Sequence, residues 1–452
     1  MITLSYRKFN FSEQAKSQYA SAWMAEAKDY PDQIVKNPNV GETEQSGTLA
    51  NIVNLFSDRF EELSKILRHE WGFHSVGKIR QVRMNRATFK QKDINLIGIV
   101  CEVRRTKSGG RMLELEDKTG RMSIFVPKEH PAIDTLLPDD VIGITGRYMK
   151  AGEEFFIASR IQYPEVADHQ NRGGEDFDPI SVAFTSDVHF GSKYHLTKEW
   201  ARMMDWLSSD HPIAKNIKYL VCSGDMADGI GVYPGQDNNL SITDVYEQYE
   251  YCARQFDLLP DHITPIMLPG NHDVVRPAEP QPVLEIEIQK MFSDCVHMGN
   301  PARISLNHGG ESDPFEILSY HGKGIDDMVP RMAHVTYEKP AEAMKEMLKK
   351  RHLAPMWGER NALSPEETDQ MVIKRKPDLM VTGHTHAHQM EWYRGTPLVV
   401  SSTFQGQSDF MRMLGYKPKM GYLSVYNLQN REMKCIGFAD QENPSAGYSA
   451  YQ

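Results

Sequence analysis

Cysteine is scarce in this sequence, which has five cysteines among 452 residues and no close pair of them. Zinc knuckles use cysteines a few positions apart, and small disulfide-linked folds need several pairs. The scarcity therefore disfavours both kinds of site. It also indicates a reducing, intracellular compartment, so we expect a cytoplasmic location.

Long apolar runs are missing as well. No stretch approaches the roughly 20 apolar residues of a membrane-spanning helix. The opening MITLSYRKFNFSEQ lacks a continuous apolar signal core, so no secretion signal is expected. We expect a soluble protein, long enough for about two or three domains, without internal repeats or low-complexity tracts.

Positive charge is in deficit, because the formal net charge is −10. A surface wholly covered by nucleic acid is therefore disfavoured, since lysine and arginine dominate phosphate binding. The segment from 78 to 121 departs from this balance, and its basic residues include Arg80, Arg83, Arg86, Lys90, Lys92, Arg104, Arg105, Lys107, Arg111 and Lys118. This segment fits either a solvated basic face or a DNA-binding face, and the sequence leaves both open.

The first 75 residues hold one clear helical pattern. Residues 48–71, TLANIVNLFSDRFEELSKILRHEW, place apolar side chains on one stripe, and Gly72 follows as a stop signal. The stripe consists of Leu49, Ile52, Val53, Phe56, Phe60, Leu63 and Leu67. It predicts a helix that docks on a core. The residues before it are polar and weakly periodic, and they support no assignment.

The sequence from 76 to 167 has the pattern of a small barrel. Apolar and polar residues alternate from Ile94 onward, with breaks at Ser108-Gly109-Gly110 and Lys118-Thr119-Gly120. Five short strands with such turns predict a closed barrel of OB type. The charged, glycine-rich stretch from 168 to 178, DHQNRGGEDFD, is interpreted as a linker.

Residues 179–452 alternate short apolar runs with amphipathic helical segments at 196–207 and 340–351, which predicts a layered α/β domain. Five of the apolar runs end in oxygen or nitrogen donors. The endings are Asp187 and His189, then Asp225 and Asp228, then Asn271, His272 and Asp273, then His321, and then His384 and His386. Because loops at one edge of an α/β sheet build its site, we expect these endings to meet in one crevice.

Each ending has an ordinary structural explanation when it is taken alone. Asp-x-His is commonly a cap beside a surface histidine, and Gly-Asp is commonly a turn. Five such endings in order, all after apolar strands, favour a shared site instead. Carboxylate, amide and imidazole donors without cysteine suit Mn²⁺, Fe or Zn²⁺, and there are more donors than one ion needs. Two ions about 3.5 to 4 Å apart can hold a phosphoryl group and activate a shared water.

In this order the motifs resemble the calcineurin-like metallophosphoesterase superfamily. That resemblance implies a first metal ion bound by Asp187, His189 and His386. It implies a second ion bound by Asn271, His321 and His384. Asp225 would bridge the two ions, and His272 would act as general acid or transition-state stabiliser without binding metal. Asp228 and Asp273 would orient these groups.

Longer phrases narrow the substrate class. GDMADGIGVYPGQ, LPGNHDVVRPAEPQP and SSTFQGQSDFMRMLGYKPKMGYLSVYNL resemble the small subunits of archaeal family-D DNA polymerases. This resemblance implies a 3′-to-5′ proofreading exonuclease that works with a large polymerase subunit on primer-template and single-stranded DNA, alongside the sliding clamp. It also implies two divalent ions, with Mn²⁺ preferred over Mg²⁺, Fe or Zn²⁺, and a nucleoid-associated location.

Two alternative functions stay open. The accessory subunits of eukaryotic replicative polymerases share this architecture without the ligands, so one alternative is a non-catalytic assembly subunit. The other is a double-strand-break repair nuclease of the same superfamily, in which the phosphoesterase part comes first in the chain. Here every ligand position is filled and the phosphoesterase part follows the barrel. Both features favour a catalytic polymerase subunit.

Four further residues are candidate DNA contacts. Tyr233 and Arg276 lie next to ligands in the sequence, where they would stack on or pair with the primer end. Arg104 and Arg105 in the barrel would contact backbone phosphates. The alternatives are that Tyr233 packs its own loop, that Arg276 makes an internal ion pair, and that the barrel docks a protein.

Overall fold

The computed structural model describes residues 26–36, 47–74, 76–86, 88–89, 92–148, 156–168, 173–310, 313–413, 415–439 and 448–451. The helices are α1 (Leu49–His69), α2 (Ile79–Met84), α3 (Thr197–Leu207), α4 (Pro212–Asn216), α5 (Val245–Phe256), α6 (Ile286–Gln289), α7 (Ile325–Met328), α8 (Pro340–Lys350) and α9 (Asp409–Met413). Short 3-10 helices lie at Ala27–Asp29 and Gln236–Asn239. Among these residues, no helix combines the length and apolar character that crossing a membrane requires.

The strands form a barrel and two larger sheets. In chain order they are β1 (Ile34–Lys36), β2 (Ile94–Arg105), β3 (Arg111–Asp117), β4 (Gly120–Val126), β5 (Val141–Tyr148), β6 (Phe156–Gln162), β7 (Ser181–Thr185), β8 (Ile217–Ser223), β9 (Thr264–Leu268), β10 (Val296–His297), β11 (Ala302–Leu306), β12 (Phe315–Tyr320), β13 (Leu379–Thr382), β14 (Gln389–Tyr393), β15 (Thr396–Val400), β16 (Tyr422–Asn427), β17 (Met433–Gly437) and β18 (Tyr448–Tyr451).

The barrel is closed by five strands in the order β2-β3-β4-β6-β5, and β5 pairs back with β2. The two glycine breaks read from the sequence fall at its β2–β3 and β3–β4 turns. Its strands approach closely at glycines, since a Cβ on Gly98 would lie 2.5 Å from the Leu115 side chain. The prediction of a five-stranded closed barrel is confirmed, whereas its OB type stays a prediction.

The two larger sheets share a core. One has the order β10-β9-β8-β7-β16-β17-β18 and the other β1-β11-β12-β13-β15-β14. Val182, Val221 and Ile266 of the first pack in one buried cluster with Ile317 and Val381 of the second. Side chains alternate along each strand, so Leu220 and Cys222 of β8 instead join α3 and α5 in a second cluster. The prediction of a mixed α/β fold is confirmed.

Two segments differ from what the sequence predicted. Residues 34–36, for which the sequence supported no assignment, form β1 and pair antiparallel with β11. In the predicted linker, residues 169–172 lie outside the described residues, but Phe177 is buried and its ring packs edge-on against Phe315. The C-terminal half of that stretch therefore belongs to a folded core, because one aromatic side chain in a polar segment is enough to anchor it.

Helix α1 joins the barrel to the C-terminal part of the chain. Leu63 and Leu67 pack with Val141 of the barrel and with Val372. Arg59 is buried on the same helix, and its Nε donates to Asp369 Oδ2 at 2.6 Å. The predicted docking helix is therefore confirmed from Leu55 onward.

The predicted burial of the N-terminal end of the stripe is wrong. Leu49 is 77% exposed and Val53 is 54% exposed. The buried side chains of α1 run only from Leu55 to Leu67. Periodicity reports which side chains share a helix face, but it does not report how far along the helix the docking surface extends.

Removing the Arg59 guanidinium should weaken the fold strongly. Arg59→Met leaves the buried Asp369 carboxylate without its arginine partner, and such breaks cost about 3–5 kcal/mol. Lys65→Met is the control, because Lys65 forms an exposed pair with Glu62 on the same helix, and exposed pairs contribute about 0–1 kcal/mol. Denaturant unfolding followed by circular dichroism measures both free energies of unfolding. Equal, small losses would contradict the role given to Arg59.

Candidate metal centre

Five strands of the two sheets end in the predicted donors. In the first sheet β7, β8 and β9 run parallel, and in the second β12 and β13 run parallel. The loops that follow them bring six of the seven predicted ligands into two three-residue groups, Asp187, His189 and His386, and Asp225, His321 and His384. The seventh, Asn271, lies against His321 of the second group. Within each group, one donor atom per residue lies within 4.8 Å of the others.

The first group consists of donors that face one another. Nε2 of His386 lies 3.4 Å from Oδ1 of Asp187 and 3.1 Å from Nε2 of His189. Asp187 is completely buried, and His189 is almost so. The Asp187 carboxylate is held by its other oxygen, which accepts the backbone N–H of His384 at 2.9 Å.

The second group is centred on His321. Its Nε2 lies 3.3 Å from Oδ2 of Asp225 and 3.0 Å from Oδ1 of Asn271. The same Asp225 oxygen is 3.9 Å from Nε2 of His189, which belongs to the first group. Asp225 therefore lies between the two groups, as a bridging ligand must.

The backbone at these loops is unusual. Nine non-glycine residues of the described chain have a positive φ, and five of them are predicted ligands: Asp187, His189, Asp225, His384 and His386. This left-handed region is unfavourable for residues with a Cβ, and such residues concentrate at functional sites. The fold thus holds these side chains at a cost in backbone energy.

Three histidine rings are oriented by partners on the side away from the donor groups. Nδ1 of His189 lies 2.9 Å from Oδ1 of Asp228, and Nδ1 of His321 lies 2.9 Å from the carbonyl oxygen of Ser223. For His384 the partner is Asp326, whose Oδ2 is 3.0 Å from Nε2. Each bond leaves the other ring nitrogen available to a metal.

Sequence reasoning predicted Asp228 as an orienting residue but missed Asp326. Asp326 lies on α7, a four-residue helix that follows His321. The available signal is an acidic pair, Asp326–Asp327, a few positions after a strand-end histidine. That signal does not show which histidine the helix will face, because His384 is far away in sequence.

Asp273 ties two of the ligand loops together. Its Oδ2 accepts the backbone N–H groups of Asp225 and Gly270, both at 2.8 Å, and its Oδ1 accepts the hydroxyl of Tyr249 at 2.7 Å. The carboxylate is buried. It therefore supports the backbone from which Asp225 and Asn271 project.

A second support for these loops was not anticipated from the sequence. Oδ1 of Asn300 accepts the backbone N–H of His321 at 2.9 Å, and its Nδ2 donates to Gln281 at 2.8 Å. Gln281 in turn donates to the carbonyl of Gly270 at 3.1 Å. Asn300 and Gln281 are both buried, so this chain connects the loop after β9 with the loop after β12.

The donor set fits a divalent cation. Asp187 Oδ1 and His386 Nδ1 are buried without a hydrogen-bond partner in the described chain. Burial would lower the pKa of His321, but the charge of Asp225 and a hydrogen bond to it raise that pKa to about 10. Carboxylates buried together attract positive charge, which is what divalent ions would supply.

His272 lies beside both groups. Its Nδ1 is 2.7 Å from the carbonyl oxygen of Asp228, and its backbone N–H donates to Oδ1 of Asp225 at 2.8 Å. Its ring stands perpendicular to that of His189, with ring centroids 4.7 Å apart. His189, Asp225 and His272 also form a compact three-donor group. The geometry therefore suits a group that acts next to the ligands.

The four candidate DNA contacts lie in different settings. Arg276 bonds to the carbonyl oxygen of Pro280 and to the buried Glu366, which is the internal ion pair that the sequence left open. The Tyr233 hydroxyl accepts from Asn239 at 3.2 Å, and its ring centroid is 6.3 Å from that of His272. Arg104 is exposed and bonds to Glu102, and Arg105 is exposed beside it.

The comparisons with known proteins agree with this site. The profile of the family "Calcineurin-like phosphoesterase" matches residues 180–388. The DNA polymerase II small subunit of Archaeoglobus fulgidus is 37% identical over 85% of this chain and 77% of its own length. That of Methanocaldococcus jannaschii is 35% identical over 90% and 68%, and that of Thermoplasma acidophilum is 32% identical over 92% and 83%. Metallophosphoesterases are enzymes that use divalent metal ions, so the candidate His and Asp groups agree with the profile.

Solved structures also align with this chain. The vacuolar protein sorting 29 structure from Cryptosporidium parvum is 14% identical to it, with a TM-score of 0.32, and the alignment covers 61% of this chain and 98% of that protein. A similarity this low carries no conclusion about the chain.

Adding one methyl group at Gly270 should disrupt the second donor group. A Cβ there would lie 2.2 Å from Oδ1 of Asp225 and 2.7 Å from Cε1 of His321. Gly270→Ala should therefore lower Mn²⁺ affinity by at least about tenfold, as changes behind ligands do. Gly406→Ala is the control, since its nearest neighbour would be 3.3 Å away. Isothermal titration calorimetry measures both affinities, and equal values would contradict this geometry.

Proposed function

The chain belongs to the family of archaeal DNA polymerase II small subunits, and we propose that it acts as a metal-dependent 3′-to-5′ proofreading exonuclease. Its metallophosphoesterase domain supports a hydrolytic role. In this proposal the partner is a larger polymerase subunit, and the substrates are primer-template and single-stranded DNA. Contact with the sliding clamp would come through the whole complex.

The observation that carries the proposal is the shared position of Asp225. It belongs to one donor group, with its Oδ2 3.3 Å from His321 Nε2, and the same oxygen is 3.9 Å from His189 Nε2 of the other group, with His272 adjacent. This arrangement supports a first ion held by Asp187, His189 and His386. It supports a second ion held by Asn271, His321 and His384. Mn²⁺ is the proposed metal, and Mg²⁺, Fe and Zn²⁺ are the alternatives.

The chain's own residues have separate tasks in the reaction. When bound, two divalent ions would polarise the terminal phosphodiester and lower the pKa of a nearby water. His272 in its protonated form would donate its Nε2 proton to the departing 3′ oxygen as the bond between that oxygen and phosphorus breaks, because its Nδ1–H is occupied by the Asp228 carbonyl. Asp228 holds His189 and, through its carbonyl, also fixes the ring of His272. The products are a nucleoside monophosphate and a shortened strand.

Each part of the chain is also assigned a fold. The barrel of residues 76–167 is assigned to the OB type, and its strand order β2-β3-β4-β6-β5 supports this. Residues 179–452 are assigned to a layered calcineurin-like domain, supported by the two buried clusters on opposite faces of β8. Residues 1–75 are assigned as the N-terminal segment and residues 168–178 as the linker, whose C-terminal end is anchored by Phe177.

The non-catalytic alternative is tested by the reaction itself. The purified chain should shorten single-stranded and 3′-mismatched DNA from the 3′ end when Mn²⁺ is present, and a chelator should stop the reaction. A chain that binds two manganese ions yet shortens no strand would support an assembly role. Cleavage of small phosphomonoesters without cleavage of DNA would contradict the substrate class.

His272 and Asp225 should fail differently when they are replaced. His272→Ala should keep both ions and lose roughly 10² to 10⁴ in single-turnover rate, the range for a positioned acid. Asp225→Asn should disturb both metal sites, since this carboxylate lies between the two groups, and added Mn²⁺ should restore little activity. Elemental analysis beside the rates separates the two. If His272→Ala lost one ion stoichiometrically, then His272 would be a ligand.

Charge reversal on the barrel tests whether it guides DNA. Arg104→Glu with Arg105→Glu should weaken DNA binding, and each lost phosphate contact should remove about 0.9 from the slope of log affinity against log salt. Arg254→Glu with Lys290→Glu reverses two exposed charges elsewhere and is the matched control. Unchanged DNA binding with weaker association to the large subunit would instead identify the barrel as a protein-docking module.

A further inference from the structure

Two loops beside the donor groups expose aliphatic side chains. Ile230 is 48% exposed, Val232 is 38% exposed and Val274 is 36% exposed. Eleven large apolar side chains of the described chain are exposed to this degree, and these three are in the loops that carry Asp228 and His272. We call Ile230, Val232 and Val274 the apolar lip.

The lip is adjacent to His272. The first loop passes so close to that residue that a Cβ on Gly229 would lie 2.2 Å from the carbonyl oxygen of His272. Val274 follows His272 by two positions, and Tyr233 of the first loop has its ring 6.3 Å from the His272 ring. The lip therefore lies in the two loops that flank His272.

Buried side chains hold the lip backbone in place. Gln236 accepts the N–H of Val232 at 2.8 Å, and Gln248 accepts the N–H of Gly229 at 2.9 Å. Both glutamines are completely buried. On the second loop, the hydroxyl of Tyr249 accepts the N–H of Val274 at 3.2 Å. The aliphatic side chains are thus presented to solvent from a backbone that is fixed at several points.

We propose that the apolar lip binds the unpaired nucleobases at the 3′ end of a DNA strand. This inference rests on the proposed exonuclease function and specifies how that site takes its substrate. Every base has two flat faces, and burying one of them against aliphatic side chains removes surface from water whatever the sequence. A paired base keeps its faces stacked within the duplex, whereas a frayed or mismatched base can bury one against the lip. The lip would therefore favour the ends that proofreading must remove.

A partner protein is the competing occupant of an exposed apolar surface. The position of the lip argues for bases, because its loops adjoin His272 and the donor groups that would bind a terminal phosphodiester. The lip is also continuous with the donor groups through Asp228, whose carbonyl bonds to His272 and to Gln236.

The test compares a normal 3′-terminal nucleotide with an abasic one. The wild-type chain should have a kcat/KM about tenfold higher for the strand with the base, the effect expected from burying about 55 Å² of apolar surface. Ile230→Ser with Val232→Ser should bring the two strands to within about twofold of each other, and Val274→Ser should reduce the preference independently. Val53→Ser with Leu258→Ser, two exposed aliphatic positions elsewhere, should keep the wild-type ratio. An unchanged ratio in the lip variants would overturn the proposal.

Equilibrium binding separates this proposal from the exonuclease function. Fluorescence anisotropy on the full chain, after the metals are removed with a chelator, measures affinity for the same two strands without cleavage. A wild-type chain that prefers the strand with the base, and lip variants that do not, would support the lip even if no strand were ever cleaved. Equal affinities in the wild type would overturn it. So would lip variants that lose only their association with the large subunit.

Discussion

The hydrogen bonds of the Asp273 carboxylate are the constraint on which the rest of the site depends. This buried group accepts three backbone N–H groups, two from the loop after β8 and one from the loop after β9, and so fixes the position of Asp225 relative to Asn271 and His272. Asp225 in turn accepts the N–H of His272. The two loops therefore form one unit. His321 and His384, which follow strands of the second sheet, form a donor group with Asp225 of that unit.

Helix α5 connects the chemistry with the surface that a substrate would meet. Tyr249 donates to Asp273 and accepts from Val274, while its neighbour Gln248 holds Gly229. Two adjacent residues of one helix thus support both the ligand loops and the lip. A displacement of α5 would therefore change the donor groups and the lip together.

Much of the site could be predicted from the sequence because its donors follow apolar strands. Strand ends of parallel strands meet at one edge, so the order of Asp187, Asp225 and His384 along the chain already indicated a shared crevice. Partners such as Asp326 and Asn300 could not be predicted, since their bonds depend on how a short helix and a loop pack in three dimensions. The same limit applies to Arg276, whose partner Glu366 is remote in sequence.

The most direct test of the account is an anomalous difference map from crystals of the full chain grown with Mn²⁺. Two peaks are expected close to each other. One should lie among Asp187, His189 and His386, the other should lie among Asn271, His321 and His384, and the Asp225 carboxylate should contact both. A single peak, or a peak directly ligated by His272, would contradict it.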